Sequence, residues 1–209
     1  VLVDGFPVRN PDSLVAKTAS VALRAPQVLA GEAKLRAAIA TFAPAIRDRV
    51  ALDVGAAAGG FTRVLLEAGA RRVYAVDAGH GQLLGSLRQD PRVVNLEATN
   101  LGELTRELVP DAIELVTIDV SYISLAAALP QLETIVFAHD AELVALVKPM
   151  FELGLDAPPP DARLRDALAH ATLGIERASW HVTGSIASPV TGHRGAKELL
   201  LHATRAPRP

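Results

Sequence analysis

The sequence contains no cysteine. That absence excludes disulfides, thiolate metal sites and cysteine nucleophiles together. Aromatic residues make up only 4% of the 209 residues, so stacking platforms for unpaired bases are few. An excess of one charge is missing as well: 21 lysines and arginines face 23 acids, for a formal net charge of -2. No bulk field marks a nucleic-acid binder, although a local basic patch fits within a neutral total. The six histidines form no HxxxH or HxH pair, and no metal site is expected. No apolar run approaches the roughly 18 residues of a membrane span, so no membrane association is expected. The chain starts at Val1 with neither a methionine nor a signal-like leader. The expectation is a cytoplasmic domain whose natural N-terminus lies upstream.

What is present is enough apolar residue, 50% of the chain, to fill the core of one domain with a small appendage. Val50 to Val54, Arg72 to Asp77, Arg92 to Leu96, Glu114 to Val120 and Glu142 to Lys148 read as strands. Most are continuous apolar runs, as in strands buried on both faces. Helical spacing occupies Gly60 to Ala68, Gln82 to Arg88, Leu101 to Leu108 and Leu125 to Phe137, the last interrupted by Pro130. Strand and helix in alternation predict an α/β fold, a parallel sheet with helices on both faces. After a helix from Arg163 to Arg177, "SWHVTGSIAS" and "AKELLLHAT" read as a hairpin joined by "PVTGHRG". Such a tail adds an antiparallel strand, an ending that suits methyltransferases better than dinucleotide-binding domains. An amphipathic helix from Leu29 to Phe42 leads into the sheet, and "DAPPPDA" reads as a surface loop. Residues 1–28 hold only short strand-like pieces and turns, too few for a core of their own.

The stretch from Ala51 to Gly79, "ALDVGAAAGGFTRVLLEAGARRVYAVDAG", combines a strand, a glycine-rich turn, a helix and a second strand ending in an acid. A turn of this kind brings cofactor atoms to the backbone and to the positive helix N-terminus. As a dinucleotide fingerprint, Gly55-x-Ala57-x-x-Gly60 is a degenerate GxGxxG, with Asp77 spaced to take ribose hydroxyls. Asp53 favours another reading. An acid just before the turn is unwelcome beside a pyrophosphate and welcome beside the cationic methionine end of S-adenosylmethionine. A turn made only for tight strand-helix packing is the plainer alternative.

"TIDVSYISL" ends the fourth strand on Asp119, and "ALVKPMFE" ends the fifth on Lys148. Ligands of open α/β sheets bind outside those carboxyl ends. Unpaired charges at buried strand ends cost several kcal/mol, so the pair is either a structural ion pair or part of a site. Glu198, in the last strand, can face the same crevice. Lys34, taken alone, reads as a solvated helix charge.

Together these motifs resemble the TlyA-type branch of the FtsJ-like ribosomal RNA 2'-O-methyltransferases, a branch also named for haemolysin A. "LDVGAAAGGFT", "VYAVDAGHGQL", "LRQDPRV", "TIDVSYISL" and "VALVKPMFE" follow in that family's order over nearly the whole chain. "DGFPVRNPDSLV" resembles the close of the family's S4 RNA-binding domain. The resemblance implies an S4-like remnant and linker at 1–28 and a methyltransferase domain at 29–209. The implied fold is a Rossmann-like seven-stranded sheet with an antiparallel C-terminal strand. It also implies a Lys-Asp-Lys-Glu tetrad at Lys34, Asp119, Lys148 and Glu198, with Lys34 aligned through "GEAKL" and Glu198 through "GAKELLLH".

For S-adenosyl-L-methionine, Gly55, Gly59 and Gly60 would line the methionine end and Asp53 would lie near its amine. Asp77 would take the ribose hydroxyls and Asn100 would neighbour the adenine, while His80 is expected at the pocket rim. Lys148 would contact the target 2'-hydroxyl, tuned by Asp119 and Glu198, with Lys34 balancing the cluster. The expected partner is ribosomal RNA or a ribosomal subunit. Arg63, Arg71, Arg72 and Arg88 are the basic candidates for it, and Tyr122 the aromatic one. Departures from the family pattern are Ala30 and Glu32 in "LAGE", Ala196 in place of an asparagine, Gly102 in place of an arginine, and "LGLDAPPPDARL" in place of a Gly- and Lys-rich loop. A catalytically reduced RNA-binding relative, a haemolysin and an NAD-dependent oxidoreductase are the alternative readings.

Overall fold

The computed structural model describes residues 1–8, 10, 12–22 and 28–205. Three two-residue strands open the chain: β1 (Leu2–Val3), β2 (Phe6–Pro7) and β3 (Val21–Ala22). They form a small antiparallel sheet in the order β2-β1-β3. Phe6, Leu14 and Val21 stay exposed there, as expected of a piece without a core. The expected boundary at 28 adjoins residues 23–27, which lie outside the described residues, as do Arg9 and Pro11 of the S4-like segment.

The five apolar runs all become strands of a second sheet: β4 (Val50–Val54), β5 (Arg72–Asp77), β6 (Val93–Glu97), β7 (Ile113–Ile118) and β8 (Phe137–Val147). The hairpin follows as β9 (Trp180–Ala187) and β10 (Leu199–Arg205). The order is β6-β5-β4-β7-β8-β10-β9, parallel from β6 to β8. β10 runs antiparallel to both β8 and β9. Every residue of β4 is buried, whereas β9 at the sheet edge alternates in exposure. That contrast repeats the continuous and alternating patterns of their sequences.

Helices α1 (Ala30–Phe42), α2 (Gly60–Glu67) and α3 (Gly85–Arg88) cover one face, where Leu35, Ala38, Phe61, Leu65 and Leu87 pack with Ala51 and Leu115. Helices α4 (Leu125–Ala128) and α6 (Leu164–Arg177) cover the other, with Leu125, Ala167, Ala171 and Ile175 against Leu52, Val116 and Leu143. The short α5 (Pro149–Glu152) follows β8 directly. The sheet is therefore α/β with two covered faces and seven strands.

Three helices are shorter than their sequence spacing suggests. The N–H groups of Gln82 and Leu83 donate to Glu97 Oε1 at 2.5 and 3.0 Å, so α3 begins only at Gly85. Leu101–Glu103 is a single 3-10 turn; Leu101, Leu104 and Val109 are buried at a spacing that imitates a helix. Pro130 has no N–H to donate, and the expected helix from Leu125 ends as α4 with a 3-10 turn at Leu129–Leu132. Among the described residues, no helix is long and apolar enough to cross a membrane.

Candidate active site

The strand order reverses between β4 and β7, and open α/β sheets place their ligand crevice at such a point. Gly55 follows β4 with φ +83°, and a Cβ there would collide with the Asp119 carbonyl oxygen. Only glycine lets these two strand ends approach so closely. Asp119 follows β7 directly, Lys148 follows β8, and Glu198 lies just before β10. Lys34 comes to the same place from α1. It is not the solvated charge that its local sequence suggests: its residue exposure is 6%.

The four side chains form one row of alternating charge. Glu198 Oε2 lies 2.8 Å from Lys34 Nζ, which is 3.5 Å from Asp119 Oδ2. Asp119 Oδ1 in turn lies 2.5 Å from Lys148 Nζ. Lys148 Nζ also donates a hydrogen bond to Ser121 Oγ at 2.5 Å. Asp119 Oδ1 and Glu198 Oε2 are buried without a directional hydrogen bond; their compensation is the facing ammonium groups. The row sums to zero charge, which limits the cost of taking four ions out of water.

Contacts around the row fix its members. Gly60 at the start of α2 meets Gly31 of α1, where an added Cβ would stand 3.0 Å from Gly31 Cα. That close approach carries Lys34 inward. Glu32, also buried, accepts from Arg63 at 2.6 Å and ties α1 to α2. Gly192 leaves room for Glu198, because a Cβ there would collide with Glu198 Oε1. Buried Glu152 accepts the Leu125 N–H at 2.8 Å and pairs with His170 Nδ1 at 2.9 Å. It thereby joins the segments that follow Asp119 and Lys148.

A cavity of about 240 Å³ lies beside the row, bordered among others by Gly55, Ala57, Asp77, Thr99, Leu101, Asp119, Ser121 and Tyr122. Asp77 accepts the N–H groups of Ala57 and Gly79 at 2.8 and 2.7 Å. A carboxylate offers about four lone-pair sites, which leaves capacity for a diol. A second cavity of about 220 Å³ adjoins it, sharing Gly55, Ala57 and Asp119 and reaching Gly31 and Gly60. A third, of about 270 Å³, is bordered by Ser121, Lys148, Pro149, Met150, Phe151, Ala196 and Glu198. The larger cavity of about 630 Å³ opens at the other end of the sheet, beside Phe137, Trp180 and Arg205. No residue of the charged row borders it.

The other sequence candidates fall in varied places. Asp53 is fully buried and accepts from Thr62 Oγ1 at 2.6 Å and Thr117 Oγ1 at 2.8 Å. Burial pushes its carboxyl up to about 6, against the opposing pull of the two hydroxyls. Gly59, at φ +94°, turns toward Leu83 and Leu87 of the α3 region. Asn100 is exposed and bonds Glu103 Oε2 through its N–H and its side-chain amide; its neighbours Thr99 and Leu101 border the cavity instead. His80 is exposed. Arg63 is engaged by Glu32, while Arg71 and Arg72 pair with Glu114 and Asp111 at the N-terminal ends of β5 and β7, away from the crevice. Arg88 is exposed on α3, and Tyr122 is 54% exposed. Sequence reading passed over Ser121, Glu152 and Gly192. Each lies within a quoted motif or turn, but only tertiary contacts distinguish it from its neighbours.

Residues 30–205 match the FtsJ-like methyltransferase family. The 16S/23S rRNA (cytidine-2'-O)-methyltransferase TlyA of Mycobacterium tuberculosis is 41% identical, over 96% of this chain and 78% of the relative. A solved Lactococcus lactis protein that goes under the name hemolysin superposes with TM-score 0.80 at 32% identity, over 87% of this chain and 90% of that one. At 16% identity, an S-adenosylmethionine-dependent methyltransferase from Mesorhizobium loti shares the fold with TM-score 0.61, over 84% of this chain and 100% of that one.

Proposed function

The chain belongs to the FtsJ-like methyltransferase family, and we propose on that premise that it methylates a ribose 2'-hydroxyl of ribosomal RNA. S-adenosyl-L-methionine is the proposed donor; when bound, it supplies an electrophilic methyl group. Its adenosine end belongs in the Asp77 cavity, with the ribose hydroxyls on the free lone pairs of Asp77. Its methionine end belongs in the adjoining cavity beside Gly55 and Gly60. Gly59 and Asp53 support this arrangement from behind the loop, and Asn100 flanks the adenine side. The identity to a cytidine-2'-O enzyme makes a cytidine the first target nucleoside to test.

The observation that carries this reading is the alternating row Glu198–Lys34–Asp119–Lys148, set between the cofactor cavities and the cavity beside Met150 and Phe151. Methyl transfer to a hydroxyl requires an in-line approach and a place for the hydroxyl proton. Lys148 borders the third cavity, and its Nζ is the group proposed to meet the 2'-hydroxyl there. As an amine it accepts the proton, and as an ammonium it donates to the developing alkoxide. Asp119 holds Lys148, Lys34 holds Asp119, and Glu198 holds Lys34. This shared fixation keeps the reacting geometry from relaxing when RNA enters. The proposed partner is a ribosomal subunit, which puts the reaction in the cytoplasm, and residues 1–28 are its proposed additional RNA contact.

Two measurements test the proposal. The first is a calorimetric titration with S-adenosylmethionine, with NAD as the parallel control. The second is transfer of labelled methyl to unmodified ribosomal subunits, followed by mapping of the 2'-O-methyl position. Saturable binding of the methyl donor alone, with label on a ribose that Lys148→Ala leaves unmethylated, is the expected result. Binding of NAD, or full transfer by Lys148→Ala, would overturn it.

A further inference from the structure

Ser121 belongs to none of the charged positions, yet its hydroxyl is a second group bonded to the Lys148 ammonium. Lys148 Nζ donates to Ser121 Oγ at 2.5 Å and lies 2.5 Å from Asp119 Oδ1. Among the described residues, Ser121 alone borders both the Asp77 cavity and the cavity beside Met150 and Phe151. The side chain stands where the two spaces meet.

Ser121 Oγ accepts a directional hydrogen bond from Lys148 Nζ, whereas the Asp119 carboxylate lies against the same ammonium as an ion pair without hydrogen-bond geometry. An ion pair holds a charge near its partner, but a hydrogen bond also sets the direction of the N–H. We infer that Ser121 is a positioning residue: its hydroxyl fixes the orientation of the Lys148 ammonium at the border of the cavity beside Met150 and Phe151. This inference rests on the reading of Lys148 as the group that meets the target hydroxyl.

A residue that acts through Lys148 predicts a particular pattern. Ser121→Ala lowers kcat roughly tenfold to a hundredfold, the scale of a misplaced reacting group. KM for RNA and the calorimetric affinity for S-adenosylmethionine stay within about twofold, since the Ser121 hydroxyl is engaged by Lys148 and the proposal gives it no hydrogen bond to either ligand. Ser121→Thr, which keeps the hydroxyl, restores most of kcat. A fall in cofactor affinity with kcat intact overturns the inference.

A spectroscopic measurement keeps the test independent of turnover. The lysine ammonium 1H–15N signal that Lys148→Ala abolishes should exchange with water several-fold faster in Ser121→Ala and at the native rate in Ser121→Thr. An unchanged exchange rate in Ser121→Ala sinks the positioning role even if no methyl acceptor is found. Inactive wild-type protein with the expected exchange pattern would instead count against the proposed reaction while supporting the fixation of Lys148.

Discussion

Lys34 Nζ lies 2.8 Å from Glu198 Oε2, which joins the first helix of the domain to the residue just before its last strand. Both side chains are less than a tenth exposed, so the pair is a buried one. Removing one member of a buried pair leaves its partner charged and unsolvated. Lys34→Ala should therefore cost about 3–5 kcal/mol, read by urea unfolding, and the double variant Lys34→Met with Glu198→Gln should recover much of it. A cost for Lys34→Ala below about 1 kcal/mol, the range of exposed pairs, would mean that water reaches the site.

Gly192 tests the same carboxylate by volume alone. A Cβ at 192 would collide with Glu198 Oε1 and push the carboxylate off Lys34. Gly192→Ala should lower the methyl-transfer rate about tenfold or more while leaving S-adenosylmethionine binding within error. Equal rates for the variant and wild type would show that the hairpin yields at no cost.

Asp77 is expected to act on the cofactor side only. Its carboxylate already accepts two backbone N–H groups, and paired bonds to a diol would add to that role. Asp77→Ala should weaken S-adenosylmethionine binding by about 10- to 100-fold, the scale of one or two charge-assisted hydrogen bonds, with Asp77→Asn between the two. Calorimetry checks the order of the three proteins.

Asp53 carries a pH dependence whose sign follows from burial. Its carboxyl is pushed up to about 6 in the folded protein, above its ordinary value of 3.8. Between those two values the folded state holds the proton that the unfolded chain has released, so stability falls as pH rises through the window and levels off above it. The change is on the order of 3 kcal/mol. Asp53→Asn cannot ionise there, so from pH 4 to pH 7 the variant should gain on wild type by that order, read by urea unfolding at several pH values. A constant difference across the range would show that Asp53 titrates alike in the folded and unfolded chain, so that burial does not hold its proton.

Much of the fold was legible because burial on both faces leaves a plain trace. β4 and β5 run over the residues their apolar runs predicted, Val50–Val54 and Arg72–Asp77. Helix ends were less legible, since the competing bonds are not local. Glu97 takes the amides that would have begun α3, and nothing near Gln82 announces an acceptor in the next strand. The site divides in the same way. Asp119 and Lys148 could be placed at strand ends from sequence, because strand direction sets which ends gather at the crevice.

The sequence by itself determined the alternation of strand and helix, the glycine turn after β4 and the acid and lysine that close β7 and β8. These rest on period, backbone freedom and chain direction, all of which are local properties. Only the tertiary structure decided that Lys34 is buried rather than solvated, that Glu198 has its room beside Gly192, and that Asp53 faces two threonines. The reason is physical: the cost of a charge depends on what surrounds it, and those surroundings come from segments far away along the chain.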